Sequence, residues 1–440
     1  MSTRVVRPTA VRPVAFRAFA ATIAAAGVLL AALAAAAVSA RAEDPAPGAA
    51  VEVHPGSGPN AAVEVVAVEG KGWLERRNGN LVLHVAGTPY EMGFQHGRLL
   101  RDTARGLIQR IQTMAALQTA QDPKNPVVPR LKEAWNRVAP FLPYSIHEEL
   151  RGLAEGAGVS LDTVRIANTI PELFHCSGFA LWGKATQDGV LYHGRILDYA
   201  MEIGYHQFAV LIVARPEGKH AFVNVGYAGF LGSVTGTNDQ QVSFGEMGGG
   251  GEGQWDGMPM SFLMRKGLEE ADTLEEGVAI FRDTPRTCEY YYVISDAKIP
   301  DARGLACWPD RFNLLVPGEA HPDLEVPVGV KDAVLMSAGD RFRLLNARVI
   351  MDYGKFDGAR GLALMRRPVA MKSAIHTVLF APAIGKLWVA NAVGTTPSSE
   401  CPYTEYDLRE LFEAKAPAAP PADEHAAAPL PAGEPAAAGR

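Results

Sequence analysis

Apolar residues recur at three- and four-residue intervals through Leu100, Ala104, Leu107, Ile108, Ile111, Met114 and Ala115, setting a hydrophobic stripe on one side of a helix. The period predicts helices from Tyr90 to about Phe174. Within that stretch Ser145 and Glu148 have the spacing of a capping box, Ile146, Leu150 and Leu153 follow as a face, and Gly156 and Gly158 end it. Ahead of them, Gly87-Thr88-Pro89-Tyr90-Glu91-Met92-Gly93 reads as a turn feeding the first helix. Beyond Cys176 the texture changes to short β-branched and aromatic runs bounded by turn residues: Val190 to His193, Phe208 to Val213 and Tyr290 to Ile294. His376 to Phe380 and Lys386 to Ala390 flank Pro382-Ala383-Ile384-Gly385 as a hairpin. Met260 to Phe281 and Gly339 to Tyr353 have a helical period. Strands and helices in this order predict sheets covered by helices.

The two ends differ from this body. Arg4, Arg7, Arg12 and Arg17 precede an uncharged, alanine-rich run from Ala18 to Ala40, and Ala40-Arg41-Ala42 supplies a small-x-small site, the order of a secretory signal. Export to the periplasm or medium, with residues 1–42 removed, is the expectation. A run of that length also nearly spans a bilayer, so a retained membrane anchor is the alternative. Residues 43–60 read as a linker and 416–440, rich in Ala and Pro, as a disordered tail. Between them lie a mainly helical leading segment, 61–175, and a sheet-rich catalytic part, 176–415.

Composition narrows the function. The 440 residues, 48% hydrophobic and 20% charged, are enough to bury an ordinary core. A net charge of -6, from 42 basic and 48 acidic residues, supplies no basic field for a phosphate backbone, so nucleic acid is not an expected partner. The cysteines stand at 176, 288, 307 and 401 with no CxxC, so neither a zinc ribbon nor a thioredoxin-type site is spelled out, and no metal or cofactor is expected. Cys288 and Cys307 are either a disulfide or two buried thiols, which spacing does not decide. Gly248 to Gly251 lacks the Lys-Ser/Thr of a phosphate loop, and His193 and His206, without a third ligand in register, read as structural.

Cys176 lies at the seam between the two textures, in Phe174-His175-Cys176-Ser177-Gly178-Phe179-Ala180, and the next strand delivers Gly194-Arg195-Ile196-Leu197-Asp198-Tyr199. By local physics alone a lone thiol belongs in the core. Residues three apart on a regular strand point to opposite sides, so a bend or bulge is required to bring Arg195 and Asp198 to one place.

The wider order adds to this reading. It runs through GTPYEMGFQHGRLL (87–100), HCSGFALWGKATQDGVLYHGRILDY (175–199), GTNDQQVSFGEMGGGG (236–251), TCEYYYVISDA (287–297), SAGDRFRLL (337–345) and HTVLFAPAIGKLWVANAVGTTP (376–397). Together these segments, spanning about residues 80 to 412, resemble the acyl-coenzyme A:6-aminopenicillanic acid acyltransferase-like family of autoproteolytic cysteine N-terminal-nucleophile (Ntn) hydrolases, relatives of choloylglycine hydrolase. The resemblance implies an α+β fold: a four-layer αββα sandwich of two antiparallel sheets between helical layers, with an N-terminal helical pro-segment. It also implies a precursor that cuts itself between His175 and Cys176, its two chains staying associated. His175 stands where the penicillin enzyme has glycine.

By the same resemblance Cys176 is the nucleophile and its freed α-amine, with an ordinary pKa of about 7.7 to 8, the base. Arg195 favours the thiolate. Asp198 orients the amine or the substrate's amide nitrogen, Asn238 in Gly236-Thr237-Asn238 donates to the oxyanion, and Arg341 matches a late family arginine. Asn238 is also ordinary turn chemistry and Arg341 also an ordinary solvated helix residue. A second asparagine of many relatives is replaced here by Tyr290, Tyr291 and Tyr292. The implied reaction takes an acyl group from a small-molecule amide or ester through a Cys176 acyl-enzyme, passing it to water or to an acceptor amine. Outside the cytoplasm water is the expected partner. The alternatives are a lipid-amide or phospholipid hydrolase of the same fold and a non-catalytic envelope binding protein.

Overall fold

The computed structural model describes residues 51–169, 176–199, 201–249, 253–321, 326 and 328–417. The expected signal, the first part of the linker, His175, Gly250 and Gly251, and nearly all of the tail lie outside the described residues.

The leading segment begins with four strands, β1 (Val53–Pro55), β2 (Val63–Glu69), β3 (Gly72–Arg77) and β4 (Asn80–Gly87). Five helices follow: α1 (Pro89–Leu99), α2 (Arg101–Gln121), α3 (Val127–Val138), α4 (Tyr144–Ala157) and α5 (Leu161–Ala167). The turn before α1 ends in a capping box: the Thr88 hydroxyl accepts from Glu91 N, and the Glu91 carboxylate accepts from Thr88 N at 2.7 Å. The box expected at Ser145 and Glu148 is not formed. Pro143 is the residue before α4, so the helix begins at Tyr144 and Ser145 lies inside it, while Glu148 pairs with Arg151. Helices α1 and α4 meet through Gly93 and Gly97 on one and Gly152 and Gly156 on the other. A Cβ on any of the four would collide with backbone of the opposite helix.

The sheet-rich part begins with β5 (Ser177–Gly183), β6 (Gly189–Asp198), β7 (Ala209–Pro216), β8 (Phe222–Tyr227), β9 (Thr235–Asn238) and β10 (Val242–Gly248). Helices α6 (Met260–Glu270) and α7 (Leu274–Asp283) come next, then β11 (Tyr290–Asp296), β12 (Asp301–Cys307), β13 (Phe312–Leu315) and β14 (Ala333–Met336). The chain ends with α8 (Gly339–Met351), α9 (Gly358–Leu364), β15 (Ala374–Ala381), β16 (Lys386–Asn391), β17 (Tyr403–Asp407) and α10 (Leu408–Glu413). The expected hairpin is β15–β16, with Gly385 at positive φ in its turn. The helical run from Met260 is two helices, because the first ends at Glu270 and Thr273 caps the second.

Among the described residues the strands form a seven-stranded sheet in the order β1-β17-β16-β15-β6-β5-β14 and a ten-stranded sheet in the order β13-β12-β11-β10-β9-β8-β7-β4-β3-β2. They face each other. Phe244 of β10 packs beneath Gly267 of α6 and Gly277 of α7, whereas a side chain on its neighbour Gly245 would meet His193 and Arg195 of β6. Leu379 of β15 likewise packs under Gly361 of α9, while Phe380 meets His193 edge to face. The stacking is therefore helix, sheet, sheet, helix, and the fold is α+β.

Two expectations are corrected. The sheets are mixed rather than antiparallel, since β4–β7 and β1–β17 are parallel pairs. A parallel neighbour needs a long crossover, and the chain between β4 and β7 supplies it with five helices and two strands of the other sheet. The described part of the segment 61–175 is mainly helical as expected, and β2, β3 and β4 within it extend the ten-stranded sheet. The linker 43–60 is in part structure, because Val53 to Pro55 pair with Tyr403 to Glu405.

Candidate active site

Strand β5 starts immediately after Cys176, and its register on β6 places Gly178 opposite Arg195 and Ser177 opposite Ile196. Alternation then separates two faces. Toward the other sheet lie Gly178, where a Cβ would strike Met247, and Arg195. On the opposite face lie Ser177 and Asp198, which meet α8. No bulge in β6 brings Arg195 and Asp198 together. They stay on opposite sides, and Asp198, two residues beyond the partner of Ser177, comes level with the amino end of Cys176. The bulge lies in the neighbouring strand: Ala374 pairs with Asp198 and His376 with Leu197, leaving Ile375 extra.

On the inner face Cys176 is 3% exposed and Arg195 wholly buried. One terminal nitrogen of Arg195 lies 3.5 Å from the Cys176 sulfur and 3.1 Å from the Glu246 carboxylate, while Nε donates to the Glu246 carbonyl at 2.9 Å. The other terminal nitrogen lies 3.2 Å from His376 Nε2. Gly245 has no side chain that would displace Arg195, whose Cγ would stand 3.0 Å from a Cβ there. A buried cation beside a sulfur is an arrangement that stabilises a thiolate.

On the outer face the Asp198 carboxylate accepts from Met371 N at 2.9 Å and from the Arg341 guanidinium. Arg341 also donates to Ser177 Oγ and to the Val369 carbonyl, each at 2.7 Å, and Ser177 Oγ is 2.7 Å from Ser337 Oγ. Burial pushes Asp198 up to about 6 against the opposing pull of Arg341 and the Met371 amide. Arg341 is thereby a partner of Asp198 and not a solvated helix arginine.

Asn238 is not brought to this group. Its side-chain nitrogen donates to the Leu268 and Ala271 carbonyls at 3.2 and 2.8 Å, and its side-chain oxygen accepts from Val242 N at 2.9 Å. An amide committed to a helix end and a strand turn is a structural cap, which corrects the expectation of an oxyanion donor at this position. Tyr292 is wholly buried and packs on Phe281 of α7, its phenol held well above the ordinary value by burial. His193 is structural, with Nδ1 2.7 Å from Ser295 Oγ and a value pushed down to about 3 by burial. Cys288, Cys307 and Cys401 are buried free thiols, and burial pushes Cys307 up to about 12. Among the described residues no group of His, Cys, Asp and Glu could hold a metal ion, and no helix is long and apolar enough to cross a membrane.

Glu246, His376, Thr235 and Ser177 were not singled out from the sequence. For Glu246 the signal was present: one acid between Phe244 and Met247 in a strand pattern is the mark of a buried ion pair. His376 carried no such mark, since its face depends on a bulge.

No family model matches the chain. In sequence it is similar to protein dcd1B of Dictyostelium discoideum, 29% identical over 282 residues that make 58% of this chain and 56% of that protein. It is also similar to the N-acylethanolamine-hydrolyzing acid amidase of Mus musculus, 25% identical over 173 residues, 37% of this chain and 47% of the relative. The chain spans about half the length of the curated relatives it matches. Among solved structures, a Caenorhabditis elegans ortholog of that amidase has a TM-score of 0.37 at 16% identity, covering 47% of this chain and 93% of the other. A conjugated bile acid hydrolase variant from Clostridium perfringens has a TM-score of 0.38 at 12% identity, covering 55% and 95%. The amidase relatives are Ntn hydrolases, the grouping that the order of motifs resembles.

Proposed function

We propose that this chain is a cysteine amidase of the Ntn kind that hydrolyses a small acyl amide. The observation that carries the reading is the buried Arg195 guanidinium 3.5 Å from the Cys176 sulfur, at the start of a strand whose neighbour ends in Asp198. Cleavage ahead of Cys176 frees an α-amine that takes the thiol proton. The thiolate attacks the carbonyl, the carbon–sulfur bond forms, and the carbon–nitrogen bond breaks as the amine leaves with that proton. Water then adds to the thioester, releasing the carboxylic acid and restoring the thiol. Asp198, held by Arg341, orients the new amine, and Arg195 stabilises the sulfur's charge.

The amidases among the sequence relatives support the amide as substrate. On this reading residues 61–175 form the pro-segment and 176–415 the catalytic chain of the αββα sandwich, the two staying packed together. The basic and apolar order of residues 1–42 supports export. Mass analysis of the purified protein tests the core of the proposal, together with turnover of a fluorogenic fatty-acyl amide. A chain beginning at Cys176 and acyl release that Cys176→Ala abolishes are expected. An intact chain that turns over the amide would falsify it.

A further inference from the structure

We infer that His376 is a positioning residue that fixes the plane of the Arg195 guanidinium against the Cys176 sulfur, an inference that rests on the nucleophile reading above. His376 is wholly buried on β15, and the extra residue Ile375 turns it to the face shared by Leu197 and Arg195. Its Nε2 lies 3.2 Å from Arg195 and 3.0 Å from Thr235 Oγ1, and its Nδ1 lies 3.2 Å from the Tyr227 hydroxyl.

A guanidinium only donates, so Nε2 must carry a lone pair, and the ring's single hydrogen sits on Nδ1, directed at Tyr227. A protonated ring would have no acceptor to offer and would set a second cation against Arg195. Burial, and secondarily Arg195, keep His376 far below its ordinary value and hence neutral.

The hydrogen-bond pattern explains the need for such a residue. Glu246 holds one edge of Arg195, through Nε and one terminal nitrogen, and the same terminal nitrogen reaches the sulfur. A contact at the opposite nitrogen resists a tilt about that edge that would carry the first nitrogen away from the sulfur. His376 anchors the opposite nitrogen. It does so as a neutral acceptor, whereas a second carboxylate would outweigh the cation that the thiolate requires. The charged and titratable groups around Arg195 are Glu246 from β10, Cys176 at β5, His193 on its own strand, His376 from β15 and Tyr227 from β8, with Asp198 and Arg341 beyond the strand.

The test is the pH dependence of Cys176 alkylation by iodoacetamide in the purified full chain, mapped to Cys176 by mass. The wild type is expected to react with a midpoint below the ordinary thiol value of about 8.5. His376→Leu is expected to raise the midpoint by about one unit, a roughly tenfold slower reaction at pH 7. His376→Gln, whose side-chain oxygen can stand where Nε2 stood, should return to within about twofold of the wild type. A folded His376→Leu chain with the wild-type curve overturns the inference and leaves the nucleophile reading intact. If that variant does not fold, Tyr227→Phe decides: a raised midpoint supports the inference and an unchanged one overturns it. A wild-type Cys176 that reacts as an ordinary thiol overturns the nucleophile reading itself, and this inference with it.

Discussion

Arg265 and Arg195 are both buried and both face a glutamate from another element, yet their charges are balanced differently. Arg265, on α6, donates to both oxygens of Glu149 on α4 at 2.9 and 2.7 Å and to Glu269 at 2.8 Å. It ties the leading segment to the sheet-rich part. Burial works against its charge, but Glu149 and Glu269 outweigh burial and hold Arg265 above its ordinary value. Arg195 pairs with the Glu246 carboxylate, and its contacts also include a carbonyl, an imidazole and a sulfur. The seam cation is over-neutralised and mechanically useful. The site cation lies against the Cys176 sulfur, and its hydrogen bonds to the Glu246 carbonyl and to His376 go to uncharged groups that set its angle without cancelling its charge.

Substitutions break this contrast from opposite sides. Cys176→Ala removes what the site cation serves and nothing that the seam requires. Acyl release should fall by about 10⁴-fold or more and the chain should stay uncut, with thermal stability unchanged. Residual turnover above that level would remove Cys176 from the chemistry. Arg265→Met leaves Glu149 buried without its cation and should cost about 3 to 5 kcal/mol in denaturant unfolding. The folded fraction should keep its specific activity, and a loss of activity without a loss of stability would contradict the seam role.

Arg195→Lys keeps the charge and discards the fork, so about a 10²-fold drop in kcat/KM with a native thermal midpoint is expected. Equal activity in the lysine variant would mean that charge alone suffices and that the angle of the plane is irrelevant. The smallest effect concerns Asp198, whose value is raised to about 6. Because the folded value lies above the unfolded one of about 3.9, its contribution to stability is complete below about pH 4 and is lost as pH rises through about 6. If catalysis needs its carboxylate, the acid limb of kcat/KM lies near pH 6. Arg341→Gln removes a cation that lowers Asp198, so that limb should move up by about one unit. A downward move would exclude Asp198 as its source.

The elements were legible where period and punctuation agree: the stripe through Leu107 and Ile111 lies in α2, and Pro382 to Gly385 turns the β15–β16 hairpin. Elsewhere, short-range patterns misled. Ser145 and Glu148 have the spacing of a cap, but Pro143 takes the cap position and starts the helix two residues earlier than that cap requires. Gly236-Thr237-Asn238 has the look of a donor at a strand end, but the nearby end of α6 takes up the amide.

Cys176, Arg195, Asp198 and Arg341 could be named together from the order of motifs and the resemblance, whereas by local physics alone a lone thiol belongs in the core. Helix period and strand alternation are local, resting on three to four residues or on two. What only the tertiary structure decided is which side chains meet across layers. Glu246 comes from the facing sheet, His376 is turned inward by a single extra residue, and Asn238 is drawn away by a helix terminus. These pairings join positions from 30 to 181 residues apart, the longest being the contact between Arg195 and His376, and no local propensity encodes them. Such partners are selected by packing, because a buried charge or amide must find its hydrogen bonds among whatever the fold places within about 3 Å.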